Sequence, residues 1–454
     1  MLSSPKRPID PNRSYTENYK WTCEYNQLAE TRQEERKTRI VSGIMLAILI
    51  GGFMAFAINV RQAESKPGTI IVPDDYPTIQ DAIGNATAGD TIFVRAGTYC
   101  EHLEIDKPLT LEGESNQNTT IKLFSTPTSF LVGIDVSASN VKIEGFYLTP
   151  VLPRLSVTSG PEWRSSPTFI WLDGRTTNCT NITIENNVLD GRGSAMDCLD
   201  MLEASNNRIV NNTMEHNHNS LEGSCIYMYY SDSNVISYND LSGGWAGIEM
   251  LWCSNNTILA NDITNTTVLG PDMGGGIQLM HSSDNVVVGN TLTGNDVGID
   301  VWGMDADGNS IYHNNFVGNT IQASEGQGFG PPSINIWDKG YPGGGNYWSD
   351  YAGVDLFSGP YQNVTGSDGI GDTPYVINAN NTDRYPLMRP VQKIVGDVNM
   401  DGKVDGKDIS EVALAFGTRP GDPRWNPLAD LDGDGKIDGR DMTIVASHFG
   451  ESYW

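Results

Sequence analysis

Cysteine is scarce: the 454-residue chain has only six. Cys23 precedes the one long apolar run, and Cys100, Cys179, Cys198, Cys225 and Cys253 follow it. Five thiols on one side cannot all pair, so no disulfide framework defines the fold, and the absence of a CxxC pair removes the usual zinc motif. Positive charge is also short. Lys and Arg total 29 against 56 Asp and Glu, a net charge of -27 that repels phosphate backbones and excludes general nucleic-acid binding. With hydrophobic residues at 38% and a single long apolar run, the chain is no polytopic membrane protein. The 49 glycines and the many Asn and Thr residues point instead to turn-rich β structure.

The apolar run Ile40 to Val60, IVSGIMLAILIGGFMAFAINV, carries no charge over a length that spans a bilayer as a helix. Lys20, Arg32, Arg36, Lys37 and Arg39 lie before it, and only Arg61 and Lys66 are close behind. The positive-inside rule then predicts a cytoplasmic leader (1–39), a transmembrane signal anchor (40–60) and a linker (61–67), with the remainder outside the cell. Cleavage near Ala55-Phe56-Ala57 is the alternative, and it also exports the chain. The expected location is the cell membrane, single-pass, with the bulk extracellular. Sequons at Asn85, Asn118, Asn178, Asn181, Asn211, Asn255, Asn265, Asn363 and Asn380 fit a glycoprotein, although an Asn- and Thr-rich repeat also produces them by chance.

The middle of the chain repeats. Asn-x-[Ile/Val]-x-x-Asn-x-[apolar] recurs from Asn207, Asn234, Asn256, Asn285 and Asn309, and the closing Asn residues fall at 187, 212, 239, 261, 290 and 314. A short alternating segment precedes each copy, as in Ile226-x-Met228 and Ile248-x-Met250. Period-two alternation means strands, and a repeat in the twenties with polar corners predicts a parallel β-helix, one coil per repeat. Stacked coils place the recurring Asn amides in axial hydrogen-bonded rows, a structural role.

The stretch IIVPDDYPTIQDAIGNATAGDTIFVRAGTYCEHLEIDKPLTLEGE resembles the opening of pectin-lyase-like β-helix proteins, in which a short helix, here around Thr78 to Ala86, caps the solenoid. The repeats, with Gly343 to Pro390, resemble the NosD-like and carbohydrate-binding/sugar-hydrolase right-handed β-helix families over residues 68–391. This resemblance implies a fold; the fold hosts lyases, hydrolases, epimerases, esterases and adhesins alike. NosD is associated with copper-site maturation. His216-x-His218 could seat a metal, but a pair on a repeat corner is more often solvated, and no Cys-Met-His set accompanies it.

Two acidic loops follow, 33 residues apart. The first offers Asp397, Asn399, Asp401, Lys403, Asp405 and Asp408, and the second Asp430, Asp432, Asp434, Lys436, Asp438 and Asp441. These are loop positions 1, 3, 5, 7, 9 and 12, with Gly402 and Gly435 at position 6 for the sharp turn. Ca²⁺ takes oxygens in that pattern, Lys403 and Lys436 giving backbone carbonyls only, so two ions are expected. An apolar run after each loop, Ile409 to Phe416 and Met442 to Phe449, predicts one helix per loop. A duplicated loop and helix with Asp at position 12 resembles a type I dockerin domain, here 396–454. The resemblance implies calcium-driven folding and a cohesin-type partner met by the tenth and eleventh positions: Gly406 and Lys407, Gly439 and Arg440. Structural calcium without a partner is the alternative.

The overall expectation is a mainly β solenoid behind one membrane helix, followed by a small α-helical calcium module. On the solenoid, Asp200, Tyr227, Glu249, Gln278 and Asp300 should point outward in one row, beside Tyr229, Tyr230, Trp252, His281 and Trp302. Tyr227 with those five aromatic and imidazole rings makes a polysaccharide-binding face, because sugars stack on rings and hydrogen-bond to nearby carboxylates. Asp200, Glu249 and Asp300 are the weak catalytic candidates. Coils about 4.8 Å apart put Asp200 and Glu249 about 10 Å apart, at the edge of an inverting glycosidase pair. A glycan-binding surface protein, a polysaccharide hydrolase or lyase, and a structural surface-layer protein remain the three readings.

Overall fold

The computed structural model describes residues 67–123, 132–150, 168–191, 197–216, 223–267, 275–303, 305–326, 333–399, 402–419, 422 and 424–452. The leader, the apolar run Ile40 to Val60 and nearly all of the expected linker lie outside them. Among the described residues no helix is long and apolar enough to cross a membrane.

Three parallel sheets of ten, nine and ten strands run the length of residues 69–348, each strand pairing with its equivalent one coil away. This is the parallel β-helix that the repeats predict. One coil contributes a three-residue strand to the first sheet (Val235–Ser237), three residues to the third (Asp240–Ser242) and six to the second (Ala246–Leu251). Alternation decides which side chains turn inward. Ile226, Met228, Ile248, Met250, Ile277 and Leu279 are fully buried in the central core, which runs unbroken from Val72 to Trp348.

The polar corners are satisfied by amide rows. Asn187, Asn212, Asn239, Asn261, Asn290 and Asn314 stack as expected, and the row continues to Asn346. Each Oδ1 accepts both the backbone and the side-chain N–H of the previous Asn, as where Asn261 receives Asn239 at 2.9 Å twice. Each Nδ2 also donates to a carbonyl beyond it, Asn261 to Ile236 at 2.9 Å. A second row links Asn207, Asn234, Asn256, Asn285, Asn309 and Asn335. Thr266, Asn295 and Asn319 form a shorter third one.

Both ends of the core are closed. Helix α1 (Ile79–Asn85), capped by the Thr78 side chain, lays Ile79, Ala82 and Ile83 over the first coil. At the far end Trp348 stacks between Phe316 and Tyr375, with ring centroids 4.4 and 4.2 Å away. Asp383 ends the long amide row there. It accepts from Asn346 N–H at 2.7 Å and Trp348 Nε1 at 2.9 Å, and burial raises its pKa to about 7.

The C-terminal module has two helices, α2 (Gly406–Ala415) and α3 (Gly439–Ser447), around a core of Val398, Val404, Val412, Ala415, Ala429, Ile437 and Val445. Both start three residues ahead of the apolar runs and stop short of Phe416 and Phe449. The reason is local. Asp405 and Asp438 cap the helices, and Asp408 and Asp441 reach back to the capping N–H groups in reciprocal capping boxes.

Candidate functional sites

The outward row of the second sheet is in register as expected. Asp135, Trp171, Asp200, Tyr227, Glu249, Gln278, Asp300 and Ser324 lie one coil apart. Asp200 and Glu249 are therefore separated by two coil spacings. The row is far from fully solvated: Asp200, Gln278 and Asp300 are buried. Glu249 Oε2 accepts the Ser224 hydroxyl at 2.7 Å, and desolvation raises its pKa. Burial, then the charges of Glu249 and Asp200, push Tyr227 well up. Both amide atoms of Gln278 lack a hydrogen-bond partner.

The aromatic set divides in two. Tyr229 and Trp302 share a second outward row with Leu202, Leu251 and Met280. Tyr230, Trp252 and His281 sit one residue on, at the corner, in left-handed backbone with φ of 47°, 54° and 49°. Bulky residues rarely adopt that conformation, so the column stores strain. The rings use their faces on one another. Trp252 is sandwiched between Tyr230 (5.3 Å, 11°) and His281 (5.5 Å, 14°), and Trp302 meets His281 edge-on at 5.4 Å. A ligand along this column meets the edge of Trp252. Sequence spacing could not separate row from column, because the division depends on where the chain turns the corner.

His216, expected on a solvated corner, is fully buried. Glycines let neighbouring coils close over it: a Cβ on Gly223 would fall 2.4 Å from its Nε2. His218 lies outside the described residues. The sequon asparagines, by contrast, are all exposed at coil corners, loops and the end of α1, so each could accept a glycan.

Among the described residues, the acidic or His/Cys group compact enough for a metal is Asp430, Asp432 and Asp434, with ligand atoms within 4.8 Å of one another. The residues fit Ca²⁺ in detail. Asp430 is buried, its Oδ2 accepts Gly435 N–H at 3.2 Å, and its Oδ1 has no hydrogen-bond partner. Burial raises the Asp430 pKa to about 6 against the pull of Arg208. Asp441, at position 12, accepts Leu431, Asp432 and Asp438 N–H groups and so ties the loop to α3. The first loop repeats the scheme, with Gly402 N–H on Asp397 at 2.8 Å and Asn399 and Asp405 N–H groups on Asp408. Asp401 lies outside the described residues. The side chain of Lys403 is exposed and that of Lys436 pairs with Asp438 at 2.5 Å, which leaves their carbonyls as the candidate ligands. Gly406, Lys407, Gly439 and Arg440 are all exposed on the first turns of α2 and α3.

A stacked-coil solenoid joined to a duplicated acidic-loop module defines the class: a β-helix protein with a C-terminal loop-helix module whose acidic loops suit a cation. The comparisons agree. Residues 173–353 match the family described as periplasmic copper-binding protein (NosD), and residues 395–450 match the dockerin type I domain. The chain carries a NosD domain and a type I dockerin domain, and dockerins of this type bind calcium. A cell surface glycoprotein of Methanothermus fervidus is 29% identical over 340 residues. The match spans 70% of this chain and 52% of that protein, about half its length. Solved structures with a similar course include pectate lyase Pel9A (13% identity, 65% of this chain and 84% of that one, TM-score 0.38). Another is the pectin methylesterase PemA from Erwinia chrysanthemi (12% identity, 51% and 80%, TM-score 0.32).

Proposed function

We propose that this is a cell-surface protein, held at the membrane by the segment around residues 40–60, whose dockerin module docks to a cohesin-type partner when two Ca²⁺ ions are bound. The observation that carries this reading is the second loop, in which the buried Asp430 presents an unpartnered oxygen beside Asp432 and Asp434. The exposed pairs Gly406-Lys407 and Gly439-Arg440 supply the partner-facing surface. The surface glycoprotein of Methanothermus fervidus supports the location. In a pull-down from surface extracts, wild type is expected to capture a cohesin-type domain with Ca²⁺ and to release it in EGTA. The double variant Lys407→Glu/Arg440→Glu should capture at least ten-fold less. Capture that ignores EGTA counts against the reading.

The β-helix binds polysaccharide along the second sheet in this proposal, with Tyr227, Tyr229, Trp302 and the edges of Tyr230, Trp252 and His281 beside the carboxylates. A hydrolytic or lyase reading is favoured by one feature, the raised pKa of Glu249 two coils from Asp200. A carboxyl whose pKa is raised by burial suits a general acid. On a glycan array wild type is expected to retain a polysaccharide that Tyr229→Ala/Trp302→Ala loses. Glu249→Gln should retain it too, and release of reducing ends by wild type but not by Glu249→Gln would establish the enzyme instead.

A further inference from the structure

The outer face of the first sheet is unusual for a solenoid flank. Val235, Leu259, Val286 and Val288 hold outward register positions in which the alternation would place polar residues. Leu259 and Val288 are nevertheless buried, because Leu428 of the dockerin module packs on them with Ala260. The connecting chain is pinned to the same side. Val391 exchanges two hydrogen bonds with Asn315, and Lys393 reaches the Ala260 carbonyl at 2.7 Å and Asp262 at 2.9 Å.

One side chain crosses from this flank into the calcium loop. Arg208 stands in a register position held by Thr183 and Thr257 in other coils and by Val235 in the next. Its guanidinium meets Asp430 Oδ2 at 2.6 Å and donates to the Gly433 carbonyl at 2.8 Å. The pair is nearly out of water, with side-chain exposures of 9% and 1%. Arg208 takes the Oδ2 side of the position-1 carboxylate, and Oδ1 is the oxygen with no hydrogen-bond partner. One carboxylate thus meets a resident cation at one oxygen and presents the other, without a hydrogen-bond partner, toward Asp432 and Asp434.

We propose that Arg208 is a β-helix residue of the second calcium site: a built-in counter-cation that seats the dockerin module on the flank and competes with Ca²⁺ for the charge of Asp430. The inference rests on the calcium reading above. Two effects oppose each other. Holding Asp430 in one orientation favours the ion by sparing the ordering of one short side chain. The repulsion between a guanidinium and a divalent cation on the same carboxylate, shielded from solvent, is the larger effect. Arg208 therefore weakens the second site, and by reciprocity Ca²⁺ loosens the seat by the same factor. Calcium acts as a latch release. It frees the module from the solenoid, while the exposed Arg440 pairs within its own loop, with Asp434 at 3.7 Å and Asp432 at 4.0 Å. The first loop touches the solenoid more lightly, through Lys339 Nζ on the Asn399 carbonyl at 3.0 Å.

The test uses the full chain and CaCl₂. Arg208→Thr is the chosen variant, because Thr183 and Thr257 already occupy equivalent register positions and the solenoid should fold unchanged. Calorimetric titration is expected to give wild type one tight and one weaker site. In Arg208→Thr the weaker site should tighten about ten-fold or more and the tight one stay put. Small-angle scattering of wild type should show the radius of gyration rising on calcium addition, and Arg208→Thr should start at the larger value. A second site of unchanged or weaker affinity in Arg208→Thr overturns the latch while leaving calcium binding intact. No calcium binding to either protein overturns the calcium reading and the latch together.

Discussion

Replacing Asn261 by leucine is expected to cost about 4 kcal/mol of stability, from three buried polar groups at roughly 1–3 kcal/mol each. The shapes are similar, so the loss is almost purely one of hydrogen bonding. Asn261 is fully buried. Its Oδ1 accepts the backbone N–H and the Nδ2 of Asn239, each at 2.9 Å. Its own Nδ2 donates to the Ile236 carbonyl at 2.9 Å and to Asn290 Oδ1 at 3.0 Å. Leucine would leave the two Asn239 donors and the Ile236 acceptor short of a partner where water cannot replace it. Asn255→Gly is the internal control. Asn255 stands just before the row residue Asn256 but is exposed, in left-handed backbone that glycine also favours, so its replacement should change stability by no more than about 0.5 kcal/mol. Thermal melts of residues 67–454 followed by circular dichroism would separate the two. Equal melting of both variants would sink the claim that the amide rows, rather than strand pairing alone, hold the corners.

This contrast also shows what in the fold was legible from sequence. A row of identical side chains at a near-constant interval has one economical explanation, a stack, and the helix over Ile79–Asn85 followed from the resemblance of its stretch to the opening of pectin-lyase-like proteins. The ends of the rows were not legible. Asn346 and Asp383 continue and close the long row from irregular segments in which the spacing breaks, and Asp383 lies 37 residues from the Asn it meets. The face of the solenoid was half legible. Period two places Asp200, Tyr227 and Glu249 in one row, but it cannot say that Tyr230, Trp252 and His281 turn left-handed and stack among themselves. In the C-terminal module, residue type and position anticipated that Asp430, Asp432 and Asp434 come together, since an acidic loop with Gly at the sharp turn has few alternatives. Arg208 left a fainter trace. It is the lone arginine in a register of Thr, Val and Ser that holds one other cation, Lys142, beside outward-facing Val and Leu. Both oddities mark a covered flank, but only the packed chain shows what covers it.

Asp441→Ala is expected to remove the second calcium site and most of the calcium-dependent stability of the module's second half. Asp441 is fully buried, and its carboxylate does three jobs. It accepts Leu431 N–H at 2.7 Å and Asp432 N–H at 3.3 Å at the loop entrance, and Asp438 N–H at 2.8 Å at the capping position of α3. It is also the position-12 oxygen donor that would join loop to helix through the ion. Alanine deletes the capping-box partner, a loss of about 1 kcal/mol, and leaves buried N–H groups at about 1–3 kcal/mol each. Removing one of several neighbouring negative charges offsets part of this when no cation is present. With Ca²⁺ at about a thousand times its Kd, an intact site gains about 4 kcal/mol. The variant forgoes that gain at the second loop and keeps it at the first, where Asp408 does the same work. Calorimetric titration should therefore fall from two ions to one, and the calcium-induced rise in melting temperature should shrink accordingly. Lys403→Ala, which keeps the backbone carbonyl and removes an exposed side chain, should leave both quantities unchanged. An Asp441→Ala protein that still binds two ions and shows the full melting shift would mean that position 12 is a helix cap alone, and that the other loop residues hold the second ion without it.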